Sequence, residues 1–211
     1  MGESSLAWDV FSFIGTFAFA VSGAIIAMEE EYDLFGVYIL GVVTAFGGGA
    51  LRNLLIGLPS SALWEQEFLF QVAIVSITVI FLFSNNLLVH WERWGTYFDA
   101  VGLSAFAIQG AMFAVQLELP LSAVIFAALL TGAGGGVIRD LLAGRKPLVF
   151  QRDIYAVWAA GGGLLIGLGV FKGDIALYFL LVIITALRIL SLVFHWQLPF
   201  RALHKKVPKK S

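Results

Sequence analysis

Two stretches of this chain, TAFGGGALRNLLIG at 44–57 and TGAGGGVIRDLLAG at 131–144, share eight identities over fourteen positions without a gap. The same shift of 87 residues lays Phe11 on Phe98, Gly15 on Gly102, Phe19 on Phe106, and the SGA at 22–24 on the QGA at 109–111. One shift serving separate motifs marks an internal duplication, which constrains the fold more than any single motif does. It also makes the apolar segment at 7–24 part of the fold and not a cleaved leader. The residues before that segment agree, since they carry Glu3 and no basic residue, the wrong charge for the start of a signal peptide.

Each copy lies in strongly apolar sequence. Hydrophobic residues make up 60% of the chain and charged residues 13%, with a mean hydropathy of +0.92. Soluble domains carry about 45–50% and about 25%. Runs of roughly 20 apolar residues match the thickness of a bilayer core. The expectation is an all-α polytopic membrane protein with seven transmembrane helices at roughly 7–28, 35–57, 68–89, 97–116, 121–142, 154–171 and 174–195. The connections hold the charges and prolines: EEEYD at 29–33, Pro59, WERW at 91–94, Pro120, GRKP at 144–147 and KGD at 172–174. The whole of 1–211 reads as a single transmembrane domain. Repeat 1 covers about 7–90, repeat 2 about 94–172, an extra helix about 174–195, and a basic tail 197–211. Three spans per repeat force the second copy to enter the membrane from the opposite side, giving an inverted 3+3 repeat plus a seventh helix.

Counting basic residues on alternate loops places Arg93, Arg145, Lys146, Arg152, Arg201, Lys205, Lys206, Lys209 and Lys210 on one face. The other face has Lys172, and Arg52 if that residue reaches the interface. The positive-inside rule then puts the C-terminus in the cytoplasm and the N-terminus outside. The absence of cysteine excludes disulfides and thiolate metal sites, and a net charge of -1 gives no reason to expect nucleic acid. The tail RALHKKVPKK reads as a solvated flank of the membrane. No enzymatic constellation is present: His90, His195 and His204 lack metal-ligand spacing, and neither glycine triplet continues into GK[ST].

The triplets Gly47, Gly48, Gly49 and Gly134, Gly135, Gly136 are expected to break helices 2 and 5. Carbonyls freed at such a break can ligate a dehydrated cation near the midplane. The alternative is that small residues let helices pack closely; two matched copies, each followed by arginine, favour the functional reading. Gly163 and Gly167, without a repeat counterpart, are read as packing residues. Arg52 and Arg139 are the leading pathway candidates, because a charge within a span faces the bundle interior or water; snorkelling to the interface is their plainer use. Asp140 is adjacent to Arg139, and Asp99, early in helix 4, is a more distant partner. Their repeat equivalents are Asn53 and Ser12, so the two half-sites differ in charge. Thr44, Thr131, Ser12, Ser22, Ser104 and Gln109 are the remaining polar span residues, with Gln109 the costliest to bury. Arg188, too deep in helix 7 to snorkel, is expected to pair within the bundle or bind a lipid headgroup.

The duplicated GGG-x-x-R-[ND]-L-L-x-G in a 3+3+1 chain resembles the prokaryotic trimeric intracellular cation (TRIC) channels. That resemblance runs from Phe11 to the last span. It implies a homotrimer in a prokaryotic inner membrane, with one pore per protomer conducting monovalent cations, chiefly potassium. Kinked helices 2 and 5 would line the pore, with Gly47, Gly48, Gly49, Arg52, Gly134, Gly135, Gly136 and Arg139 at the family's motif positions. K+ near the helix breaks would be the permeant ion; no other cofactor is implied beyond a bound lipid. A related bacterial group with similar motifs is associated with glycine uptake. A secondary transporter for glycine or another small amino acid is therefore the alternative.

Overall fold

The computed structural model describes residues 6–57, 61–87, 94–151 and 154–199. Pro59, His90, Arg93, Arg152 and the tail from Arg201 onward lie outside the described residues. Among the described residues seven helices of twelve residues or more follow one another: α1 (Leu6–Glu29), α2 (Leu34–Ile56), α3 (Glu67–Leu87), α4 (Trp94–Gln116), α5 (Leu121–Leu142), α6 (Ala156–Gly167) and α7 (Asp174–Val193). A single helical turn at Ser61–Trp64 precedes α3, and a 3-10 turn at Leu148–Phe150 precedes α6. Five of the seven are long and apolar enough to cross a bilayer. The chain is a multi-pass membrane protein.

The helix ends carry ordinary stop and start chemistry. Asp33 caps α2 by accepting a hydrogen bond from the Gly36 N–H at 2.7 Å, and Gly57, at φ 79°, closes it. Pro120 precedes the first residue of α5. The sixth span is shorter than expected. α6 covers 12 residues, which rise about 18 Å at 1.5 Å each. It stops because Gly169 turns to φ 71°, letting the Val170 N–H reach back to Leu165 O at 3.0 Å.

α1 and α4 form the buried centre. Around them α2 and α5 pack on each other, α3 covers α1 and α2, α6 covers α4 and α5, and α7 closes over α4 and α6. The central seam uses residues that match under the 87-residue shift. Gly15 receives the ring of Phe106 and Gly102 the ring of Phe19, where any Cβ would collide with the ring. Those two rings meet edge to face at 5.3 Å, worth about 0.5–1.5 kcal/mol beyond area burial. Across the end of the bundle, Arg145 bridges Glu29 at 2.8 Å and Glu30 at 2.5 Å, and the Tyr32 hydroxyl donates to Leu142 O at 2.7 Å. Partial burial alone would lower the Arg145 pKa, but its hydrogen bonds to Glu30 and Glu29 carry it above the ordinary value.

α2 and α5 run as continuous helices through both glycine triplets. The expected break into half-helices is therefore corrected, and with it the freed carbonyls on which a K+ site was expected to rest. The glycines are used for approach. A Cβ on Gly48 would overlap Thr131 O, and a Cβ on Gly135 would overlap Thr44 O. The first glycines follow suit, since a Cβ on Gly47 would fall 2.8 Å from Ile138 Cδ1 and one on Gly134 3.1 Å from Leu51 Cδ1. The two helices thus cross backbone to backbone, which only glycine permits. Gly163 and Gly167 pack α6 against Ala128 and Leu121 of α5, so that close contact is made within the chain.

Candidate functional site

Two arginine sites lie near the C-terminal ends of α5 and α2. The first draws on Ser22 of α1.

All three guanidinium nitrogens of Arg139 are engaged. Nε and Nη2 engage Asp140 Oδ1 at 2.8 Å and 2.7 Å. Nη1 donates to Asp99 Oδ1 on α4 and to Ser22 Oγ on α1, both at 2.7 Å. The Tyr155 hydroxyl donates to the same Asp99 oxygen at 3.3 Å. Asp140 Oδ2 accepts the Leu148 N–H at 3.0 Å, tethering the loop before α6. Arg139 is 2% exposed and Asp99 0%, so these charges interact with little screening by water. One guanidinium faces two carboxylates, and Asp99 Oδ2 has no hydrogen-bond partner among the described residues. A cleft of about 150 Å³ reaches this cluster, lined by Arg139 and Asp140 with Ile26, Gly95, Thr96 and Arg145 among others. The third glycine of the triplet makes room for it: a Cβ on Gly136 would stand 2.8 Å from the Tyr155 hydroxyl and 3.2 Å from Asp99 Oδ1.

Arg52 repeats half of this arrangement. Its Nε and Nη2 donate to Asn53 Oδ1 at 3.1 Å and 2.9 Å, as those of Arg139 do to Asp140. Its guanidinium lies over the Phe113 ring at 4.5 Å. Nη1, the atom that in Arg139 holds Asp99, is buried without a hydrogen-bond partner among the described residues. Ser12, standing where repeat 2 has Asp99, donates to Trp8 O at 2.8 Å and accepts from Gln109 Nε2. Trp8 and Phe113 meet at 5.9 Å; under the repeat shift they take the places of Gly95 and Ile26, two residues that line the cleft. The arginine site of repeat 1 is thus faced with aromatic rings where that of repeat 2 opens.

Thr44 and Thr131 sit at the crossing between the sites, each hydroxyl donating at 2.6 Å to the carbonyl four residues back. Their own carbonyls are the ones that meet Gly135 and Gly48. Of the residues singled out in sequence, Arg139, Asp140 and Asp99 come together. Arg52 gathers with Asn53 and Phe113, beside the seam where Ser12 meets Gln109. Arg188 is fully buried, with Nη1 3.2 Å from Ile154 O and its guanidinium 4.8 Å from the Tyr155 ring, so it pairs within the bundle. Sequence reasoning does not single out Tyr155 or Phe113. Tyr155 has one usable signal: it places a hydroxyl where repeat 1 has Phe68, in the same copy that has Asp99 in place of Ser12.

The comparisons cover most of the chain. A family model described as glycine transporter matches residues 9–85 and again 96–170, one match in each repeat. The UPF0126 membrane protein YvgT of Bacillus subtilis is 63% identical over 93% of this chain and 98% of its own length. A solved structure from work on conductance through TRIC cation channels superimposes with a TM-score of 0.80 at 35% identity, covering 93% of this chain and 98% of that one. The TRIC trimeric intracellular cation channel orthologue from Rhodobacter sphaeroides gives a TM-score of 0.81 at 30% identity, covering 90% and 98%.

Proposed function

Given that this chain belongs to the UPF0126 family of membrane proteins, the family of the prokaryotic TRIC channels, we propose that it is a monovalent cation channel for which potassium is the permeant ion. The observation that carries the reading is the 35% identity to a TRIC cation channel over 98% of that chain. The functional unit is a homotrimer with one pathway per protomer, lined by α2 and α5, in the cell membrane with the N-terminus outside and the C-terminus cytoplasmic. The matched pairs Gly15 and Gly102, Gly48 and Gly135, and Thr44 and Thr131 make equivalent contacts in the two copies, which supports an inverted repeat. At the cleft the Arg139 guanidinium is held by two buried carboxylates, Asp99 and Asp140, while Arg145 and Lys146 bring further positive charge to its lining. The crossing of α2 and α5 is closed by backbone contact, so conduction requires the helices to part at Gly48 and Gly135.

A second reading, secondary transport of glycine or another small amino acid, is favoured by the description of the matching family model and by a buried arginine at each end of a closed crossing. Purified protein in a planar bilayer with potassium separates the two. Discrete unitary currents are expected. Silent bilayers together with saturable glycine uptake into liposomes would overturn the channel.

A further inference from the structure

Two contacts fix the level at which the connection between α5 and α6 lies. α7 has 20 residues, about 30 Å at 1.5 Å each, which is the thickness of a bilayer's hydrocarbon core. Its ends therefore mark the borders of that core. Ile154 O, two residues before α6, accepts hydrogen bonds from Arg188 Nη1 at 3.2 Å and Ser191 Oγ at 3.3 Å. Those donors stand five and two positions before Val193, which puts Ile154 about 3–8 Å inside the end of α7. The Leu148 N–H is bonded at 3.0 Å to Asp140 Oδ2, in the last turn of α5. The Leu148–Phe150 turn is thus held on both sides at levels inside the helix ends. The short α6 agrees, since its roughly 18 Å leaves part of the core for the flanking chain to fill.

Non-helical backbone at such a depth must find its hydrogen bonds within the protein. Pro147 has no N–H to satisfy. The Phe150 N–H donates to Pro147 O at 2.9 Å and the Gln151 N–H to Leu148 O at 3.1 Å, while Gln151 Nε2 donates to Lys146 O at 2.7 Å. With those polar groups satisfied, the turn presents a ring: Phe150 is 66% exposed. Near the same level α5 ends in exposed Leu141 and Leu142, and α7 in exposed Val193 and Phe194. We propose that Leu148–Phe150 is a membrane-inserted turn, its Phe150 ring docked at the headgroup–acyl boundary and the exposed Lys146 beside it among the headgroups. The partner is lipid and not a second copy of this chain. A stable protein interface takes about 800 Å² from each side, far more than one ring on a three-residue turn, whereas one ring suits an interfacial anchor. Leu148 of the same turn lines the cleft that reaches Arg139 and is bonded to Asp140, so contact with the bilayer lies one hydrogen bond from the charged cluster. This holds whether the protein conducts cations or carries amino acids.

The sequence holds no cysteine, so single cysteines can carry nitroxide labels in the full chain, reconstituted in vesicles of phosphatidylcholine and phosphatidylglycerol. Power saturation of the spin signal compares collisions with oxygen, which enters lipid, and with a nickel chelate, which stays in water. The label at Phe150→Cys is expected to give an oxygen-to-nickel ratio several-fold above that at Lys146→Cys, and close to that at Leu141→Cys on the exposed end of α5. A Phe150 label reached by nickel as readily as the one at Lys146 would place the turn in water and overturn the proposal. An immobilised Phe150 label that neither reagent reaches would place the ring against protein, a second copy included, and overturn it as well.

Discussion

The arginine of repeat 2 and the arginine of repeat 1 stand at matching positions on matching helices, yet one is enclosed by carboxylates and the other by an amide and an aromatic ring. Duplication supplied both guanidiniums and both glycine crossings, and divergence then changed what surrounds them. Asp99 against Ser12, Asp140 against Asn53 and Tyr155 against Phe68 give the second site two carboxylates and a hydroxyl that the first one lacks. Trp8 against Gly95 and Phe113 against Ile26 make the first one closed by rings. A backbone scaffold can remain two-fold while the pairing of its charges becomes one-sided.

The contrast between the two sites should shrink most in Asp99→Ser, which gives repeat 2 the residue of repeat 1. Arg139 keeps Asp140, so the loss is that of a charged hydrogen bond, about 1.5–3 kcal/mol, to be read as unfolding free energy in mixed micelles. Ser12→Ala, at the matching position, should cost under about 1.5 kcal/mol, the scale of one neutral hydrogen bond. Equal losses at the two positions would mean that the sites are energetically alike. Next come the glycines. Gly48→Ala and Gly135→Ala should each cost about 1–3 kcal/mol by forcing α2 and α5 apart, and by similar amounts, since each meets a backbone carbonyl of the other helix. Gly49→Ala, with only a flexible side chain nearby, should be close to neutral in the same measurement. Tyr155→Phe copies the residue of repeat 1 and removes one hydrogen bond to Asp99, for an expected loss of about 0.5–1.5 kcal/mol. Smallest is Gly161→Ala in α6, where a Cβ meets nothing within 4 Å; it should stabilise by about 0.4–1 kcal/mol through the unfolded chain.

Much of this architecture is legible in the amino-acid sequence. Apolar runs and polar breaks mark the seven helices because a bilayer enforces length and composition together, and the boundaries agree within a few residues except at α6. The duplication can be read because Gly15, Phe19 and the triplets are held by mutual packing that tolerates little change. The triplets mislead when read as breaks. A glycine in sequence reports that a side chain is absent, not whether the absence serves a left-handed turn, as at Gly169, or the approach of another helix, as at Gly48. Only the partner's position separates those uses. Asp99 is visible as a counterpart to Arg139 since it is an acidic residue within a span, where charges need partners. Phe113 and Tyr155 are not, because an aromatic residue in a membrane helix or at its edge is ordinary until a guanidinium is found on it.

If the charged cluster around Arg139 lies on a cation pathway, unitary potassium currents must register what happens to its guanidinium. The measurement compares wild type, Arg139→Lys and Arg139→Ala, each verified as an intact assembly of the same mass. Lysine keeps the charge but loses the planar fork that joins Asp140, Asp99 and Ser22. Alanine is expected to change unitary conductance, open probability or cation selectivity, and lysine to fall between alanine and wild type. Identical currents from all three proteins would contradict a pathway through this cluster and leave Arg139 a structural anchor within the bundle.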